Sequence, residues 1–188
     1  MTGSARTETP DEALIAAATR GETRAFEHLL DRHESAVLRV LRLMGVPAQD
    51  REDVAQDVFV RVFRHLRSFQ RGRSFGAWVY RIAVNAAHDY RARQGRRSSE
   101  ASLEAGDEAL EETPGPEEAA EQVDLRRQLL GALESLSDRE RAVFVLRELE
   151  GLETKEVARS LGITSITVRR HLGRARQRLQ KVLTQHSK

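Results

Sequence analysis

The stretch that most constrains this chain's fold is its last third, Leu136 to Leu183, LSDRERAVFVLRELEGLETKEVARSLGITSITVRRHLGRARQRLQKVL. It divides into short helical patterns, a tight turn at Leu161-Gly162-Ile163-Thr164, and a longer helix. In that last helix Val168, Leu172, Ala175, Leu179 and Val182 recur at helical spacing, while Arg169, Arg170, Arg174, Gln177 and Lys181 occupy the other side. Ser137 and Glu140 form an S-x-x-E capping box that starts a helix running to about Leu149. A capped helix, a short helix, a turn and an amphipathic helix, in that order, outline a helix-turn-helix, whose second helix lies in the major groove of DNA. The plainer alternative is a solvated basic face on a structural helix, and an Arg-rich helix alone would not decide against it. The ordered motif favours DNA. Basic side chains there can pair with phosphates and reach base edges, and the backbone N–H groups near Thr164 to Thr167 can hold a phosphate.

The rest of the chain is also patterned for helices, so the expected fold class is all-α, with two small helical domains joined by a flexible acidic linker. Helical patterns run from Asp11 to Arg20, from Glu22 to Leu43, from Asp50 to about Phe69, and from Phe75 to about Arg93, separated by Gly21, Gly45-Val46-Pro47 and the basic turn Arg71-Gly72-Arg73-Ser74. Val54, Val58, Phe59, Val62, Phe63 and Leu66 make one apolar stripe. Residues 98–124 are small and acidic with Pro and Gly, too poor in apolar surface to build a core. The expected division is therefore 1–97, a linker at 98–124, and 125–188.

Charge follows the same division. The net charge of +2 conceals 17 basic against 12 acidic residues in 1–97, none against 10 in 98–124, and 14 against 7 in 125–188. Two basic blocks flanking an acidic strap suggest two surfaces for a polyanion. With no cysteine, disulfides and thiolate metal sites are excluded, which suits a reducing compartment. No segment approaches the roughly 18 apolar residues of a membrane span, and the N-terminus lacks a signal-peptide layout, so a cytoplasmic protein without membrane insertion is expected. The six histidines, His28, His33, His65, His88, His171 and His186, show no metal-ligand spacing. There is no phosphate-binding Gly-rich loop and no nucleophile-base motif. No enzyme, no cofactor and no metal site is expected.

Within the first block the densest signal is Phe75 to Arg97, where one helix holds Trp78, Tyr80 and Tyr90 together with Arg81, Arg91, Arg93, Arg96 and Arg97. Aromatics beside basic side chains are what single-stranded nucleic acid needs, because bases stack while the backbone is neutralised. For Trp78 the favoured reading is core packing. Asn85, His88 and Asp89, polar and late in that helix, fit a nucleic-acid role. The helix bearing Asp53, Gln56, Asp57, Phe59, Arg61 and Arg64 reads physically as an ordinary surface helix or one that docks to a partner helix.

Taken together, GETRAFEHLLDRH, EDVAQDVFVRVFRHL, RSFGAWVYRIAVNAAHDYRARQGRR and LRELEGLETKEVARSLGITSITVRRHLGRARQRL resemble the extracytoplasmic-function sigma factors, small alternative specificity subunits of bacterial RNA polymerase. WVYRIAVN and LRELEGL look most like the envelope-stress sigma-E branch. The resemblance implies a sigma-2 domain that binds core polymerase and a sigma-4 domain with the helix-turn-helix. Asp53, Gln56, Asp57, Phe59 and Arg61 would bind the coiled coil of the β′ subunit. Trp78, Tyr80, Arg81, Asn85, His88, Asp89, Tyr90 and Arg93 would recognise and open the −10 element, holding a flipped-out base in a loop near Asn85 to Tyr90; such a pocket couples recognition to melting. Thr167, Arg169, Arg170, His171, Gly173, Arg174, Gln177 and Arg178 would read the −35 element as duplex. The sigma-4 domain would also touch the β flap, the strap would thread towards the RNA exit channel, and a regulatory anti-sigma factor is an expected partner.

The chain departs from the family's pattern at Arg170, where a small hydroxyl is usual, at His171, where Arg is usual, and at Gly173, inside the helix at a cost of about 1 kcal/mol relative to Ala. Glu153 stands where a Ser usually caps. A LuxR-type activator would share L-S-x-R-E-R, the K-E-V-A segment and T-V-x-x-H, but its first block would be an α/β sensor rather than an Arg-rich helical bundle. An adaptor protein with incidental basic faces is the third reading. The ordered pair of basic blocks favours the sigma factor.

Overall fold

The computed structural model describes residues 10–70, 72–100 and 127–186. Every regular element among them is helical. α1 (Asp11–Thr19) follows Pro10 and has Asp11 and Glu12 in its first turn, where the helix dipole favours acids. Gly21, at φ +99°, turns the chain into α2 (Thr23–Leu43), and Gly45, at φ +86°, turns it out again. α3 (Ala48–His65) follows Pro47 and ends in a 3₁₀ turn at Leu66–Ser68. α4 is Phe75–Glu100. It runs past the expected end near Arg93 because Arg91-Ala92-Arg93-Gln94 are good helix formers and only the exposed Gly95 opposes them. The acidic strap from residue 101 onward lies outside the described residues.

The second half starts with α5, helical over 127–134. α6 (Asp138–Phe144) has the expected capping box, with Ser137 Oγ accepting from the Glu140 N–H and the Glu140 carboxylate accepting from the Ser137 N–H. It widens into a π turn at Val145–Leu149. α7 (Thr154–Leu161) is closed by Gly162 at φ +65° and by the Ile163 N–H donating to the Ala158 carbonyl. α8 is Ser165–His186. At the start of α7 the Glu156 carboxylate accepts from the Glu153 N–H over 3.1 Å, so the missing Ser is partly made good.

Leu29, Val37, Val40, Leu41, Val58, Val62, Val79 and Val84 fill the core of the first bundle, and Leu133, Val143, Leu146, Val157, Val168 and Ala175 that of the second. One expected core residue is misplaced: Phe63 is 60% exposed. It follows Val62, which is fully buried, and one residue turns a helix by 100°, carrying Phe63 off the core side. Its ring instead meets Phe26 edge-on at 5.0 Å.

The two bundles meet along a seam of α2 and α4 against α6 and α7. Arg141 of α6 is 3% exposed and donates from Nε to the Leu43 carbonyl at 2.6 Å. Arg39 grips Glu150 with two bonds, of 2.8 and 2.6 Å, and Arg91 pairs with Asp138.

Candidate nucleic-acid interface

Helical geometry divides α4 into two working faces. Trp78, Arg81, Asn85, Asp89 and Arg93 succeed one another at three- and four-residue steps, so they share a ridge. Tyr80, His88 and Arg91 lie on another side, towards the second bundle. There Tyr80 is pushed above its ordinary pKa by burial and by the nearby Glu150 carboxylate. His88 is pushed below its ordinary pKa, first by burial and then by Arg139 and Arg91, with Asp138 opposing; its Nε2 is buried with no partner among the described residues. Tyr80 and His88 therefore face the seam in this arrangement.

Trp78 and Arg81 do come together, around a cavity of about 180 Å³. Its walls are Phe69, Gln70, Arg73 and Trp78 from the first bundle, closed by Glu156 and Arg159 of α7. Trp78 is half-buried and packs at a tilt against Phe69 and Phe75, with ring centroids 5.3 and 5.6 Å apart, so it is both core and cavity wall. Among the described residues Arg73 and Arg81 have no ion pair or hydrogen bond. A loop expected near Asn85 to Tyr90 is not found there. Those residues sit in the middle of α4, where Ala86 and Ala87 are buried and the backbone is fully hydrogen-bonded as helix. The non-helical residues described in this region are Phe69 and Gln70 on one side of residue 71 and Gly72, Arg73 and Ser74 on the other. In the sequence Arg71-Gly72-Arg73-Ser74 reads as a basic turn between two helices, and its clustered arginines are the signal that could have joined it to this site. Asp89 pairs with Arg61 at 2.7 Å, and the Tyr90 hydroxyl donates to Asp50 at 2.5 Å. These bonds tie α4 to α3. Asn85 and Arg93 are exposed.

The helix-turn-helix presents a second basic surface. Arg169, Arg170, Gly173, Arg174 and Gln177 are exposed, and Arg169, Arg170 and Arg174 form no ion pair among the described residues. Thr164 Oγ1 accepts from the Thr167 N–H at 3.1 Å and lies 2.9 Å from its hydroxyl, so it caps α8. His171 turns partly inward; its Nδ1 is buried and burial, then Arg170, pushes its pKa down. Arg178 is drawn towards the domain itself, to the nearly buried Glu140 carboxylate at 3.1 Å and the Ser135 carbonyl at 3.4 Å. Ile166, which the periodic stripe did not include, is 75% exposed at the start of α8.

On α3, Asp53, Gln56 and Asp57 are exposed, and Phe59 is half-buried. Gln56 and Phe59 border an apolar groove of about 500 Å³ that also takes in Phe26, Leu38, Val60 and Phe63. Arg61, engaged with Asp89, points towards α4. Spacing alone does not reveal the groove, because Phe63 falls in the apolar stripe and Val60 lies outside it, yet both are exposed at the groove's edge.

Comparison with known proteins agrees with this two-part layout. Residues 29–97 match the family model for sigma-70 region 2, and residues 126–179 match sigma-70 region 4. The chain is 30% identical over 184 residues to the RNA polymerase sigma-H factor of Pseudomonas aeruginosa, covering 94% of this chain and 95% of that one. It is 34% identical over 174 residues to the ECF RNA polymerase sigma-E factor of Escherichia coli K12, covering 89% and 91%. Among solved structures, CnrH in complex with the cytosolic domain of CnrY superposes with a TM-score of 0.70 at 32% identity, over 93% of this chain and 97% of that one. Regions 2 and 4, in that order on one chain, define the class as sigma-70-type transcription initiation factors. Within that class the chain belongs to the extracytoplasmic-function sigma factors and resembles sigma-E. It is an alternative sigma factor acting in promoter-specific transcription initiation. Among the described residues no helix is long and apolar enough to cross a membrane.

Proposed function

We propose that the chain works in the cytoplasm without catalysing a reaction, binding core RNA polymerase through α3 and reading a promoter at two places. The single observation that carries this is the pairing of two separate basic surfaces on one chain: the α4 ridge with its Arg-rimmed cavity, and the exposed face of α8. Residues 1–97 serve as the core-binding and −10 domain, 98–124 as the tether, and 125–188 as the −35 domain. An extruded base of the −10 strand enters the cavity beside Trp78, with Arg73 and Arg81 neutralising the adjoining phosphates; Asn85 and Arg93 extend the track along α4. Thr167, Arg169, Arg170, Arg174 and Gln177 meet the −35 duplex, with Gly173 allowing close approach.

The α3 groove supports a helical partner, since an apolar trough rimmed by Gln56, Glu34, Glu52 and Arg64 suits an amphipathic helix. We assign it to the β′ coiled coil, with Asp53, Gln56, Asp57 and Phe59 as contacts, and the second domain to the β flap. CnrH is seen with the cytosolic domain of CnrY; by analogy this chain is held by an anti-sigma factor until a signal releases it. In vitro transcription with purified core enzyme on a promoter library tests the reading. Core-dependent initiation at a restricted promoter set is expected, and its absence at every promoter overturns it.

A further inference from the structure

α8 carries one large side chain that its own domain leaves unused. Ile166, the second residue of the helix, is 75% exposed and more exposed than any other large apolar residue described, whereas Val168 two positions on is fully buried. A lone exposed apolar residue is ordinary on a protein surface. This one is not isolated from function, because its face of the helix is otherwise polar and carries the unpaired arginines. With 3.6 residues per turn, Arg170, Gly173 and Gln177 fall within about 40° of Ile166 around the helix axis. All three are exposed.

Gly173 supplies an independent observation. A Cβ placed there would meet nothing within 4 Å, so the packing of this protein does not require glycine. Its effect is outward: it leaves the helix surface bare two turns below Ile166, on the same stripe. A bare patch in line with a protruding isoleucine suits a helix that presses its backbone against a groove wall and pushes its N-terminal turn deeper. Of the groups that base pairs display in the major groove, the thymine 5-methyl is the apolar one.

We propose that Ile166 is a specificity-determining residue of the −35 contact, packing on the 5-methyl group of a thymine, with Gly173 permitting the close approach that brings it there. This rests on the assignment of α8 to the −35 duplex. Arg169, Arg170 and Arg174 hold the backbone and polar base edges around it, and the apolar contact discriminates thymine from cytosine, which lacks the methyl group.

The test starts from a promoter set selected with the full-length protein and core polymerase from a randomised upstream duplex. Each thymine of the selected −35 element is then replaced singly by deoxyuridine, which removes the methyl group and leaves base pairing unchanged. At one position the substitution should weaken binding of the wild-type holoenzyme by about three- to fivefold, the size of one buried methyl contact. Ile166→Ala should bind the thymine and deoxyuridine duplexes equally while assembling normally with core polymerase. Gly173→Ala, which has room to fold, should weaken thymine-containing promoters and reduce the methyl effect. An indifferent wild-type protein, or an undiminished methyl effect in Ile166→Ala, overturns the proposal. If the selection returns no upstream preference at all, the α8 assignment itself fails; a preference without a methyl effect removes the role of Ile166 alone.

Discussion

Arg141 donates from its Nε to the main-chain carbonyl of Leu43 at 2.6 Å, and so a side chain of the region 4 domain caps the C-terminal end of a region 2 helix. The guanidinium is buried, which lowers its pKa to about 10 and still leaves it charged at neutral pH. Positive charge at a helix C-terminus is favourable, and the carbonyl would otherwise lack a partner. Gly45 makes room: a Cβ there would lie 2.9 Å from Arg141 Nη1. Arg141→Ala should cost about 1–3 kcal/mol, the penalty of a buried acceptor left unsatisfied. It should also loosen the two domains, raising the radius of gyration in small-angle scattering. An unchanged radius and melting temperature would contradict a seam held by this contact.

The pair of Arg39 and Glu150 should be asymmetric. The Glu150 side chain is 1% exposed, whereas that of Arg39 is 54% exposed. Removing Arg39 leaves a buried carboxylate without its cation, with the Tyr80 hydroxyl as its neighbour, while removing Glu150 frees an arginine that already reaches water. Arg39→Ala should therefore destabilise the protein by roughly 1–3 kcal/mol and Glu150→Ala by clearly less. Denaturant unfolding of both variants decides it, and equal losses would refute the asymmetry.

Acid should weaken the folded protein through two histidines. Burial lowers the pKa of both His88 and His171 below the ordinary value. The folded state thus binds those protons more weakly than the unfolded chain, which takes them up first as pH falls from about 6.5. Stability is then greatest above that pH and declines below it. At His88 the facing groups are Asp138, Arg139 and Arg91, so protonation also adds charge at the seam. His88→Gln should flatten the decline of melting temperature between about pH 7.5 and 5.5, the range that spans an ordinary histidine pKa. A variant as acid-sensitive as the parent would exclude His88 as a source.

Phe63 offers a way to separate polymerase binding from DNA binding. It is 60% exposed at the edge of the α3 groove, far from α8 in sequence and on another element. Phe63→Asp should weaken core association by about 2 kcal/mol, roughly thirtyfold, if the ring is a central anchor of the interface. Duplex binding by α8 should be unaltered. Core affinity measured by fluorescence anisotropy settles the point, and an unaffected value would move the polymerase contact off this groove.

The sequence resolved helices and domain order more completely than it resolved surfaces. Periodicity placed Val54, Val58 and Val62 inside correctly because a buried stripe repeats. The same stripe swept in Phe63, whose exposure depends on where α2 leaves a trough. Trp78 and Arg81 were singled out from local composition. Their cavity also needs Phe69 and Arg73 from a loop, and α7 from the other half of the chain, relations that no local spacing encodes. The pairings of Arg61 with Asp89 and of Arg178 with Glu140 are similarly invisible in one dimension, since each charge reads as a free surface group. Ile166 was passed over for the opposite reason: it breaks the apolar stripe, and a pattern search discards what does not repeat.

Arg174 provides the most direct test of the groove-facing surface. It is exposed, unpaired among the described residues, and two turns into α8, beside the Gly173 opening. Its loss should hardly disturb the fold, because surface substitutions away from special contacts usually stay within about 0.5 kcal/mol. If it contacts a base edge, Arg174→Ala should weaken −35 binding by about 1–3 kcal/mol and relax the preference at one position; if it contacts a phosphate, affinity should fall evenly across sequences and the salt slope should drop by about one. Core binding should be retained in either case. Measuring promoter affinity at several salt concentrations, with core affinity alongside, distinguishes these outcomes. Equal losses of DNA and core binding would show that Arg174 supports the domain rather than facing the groove.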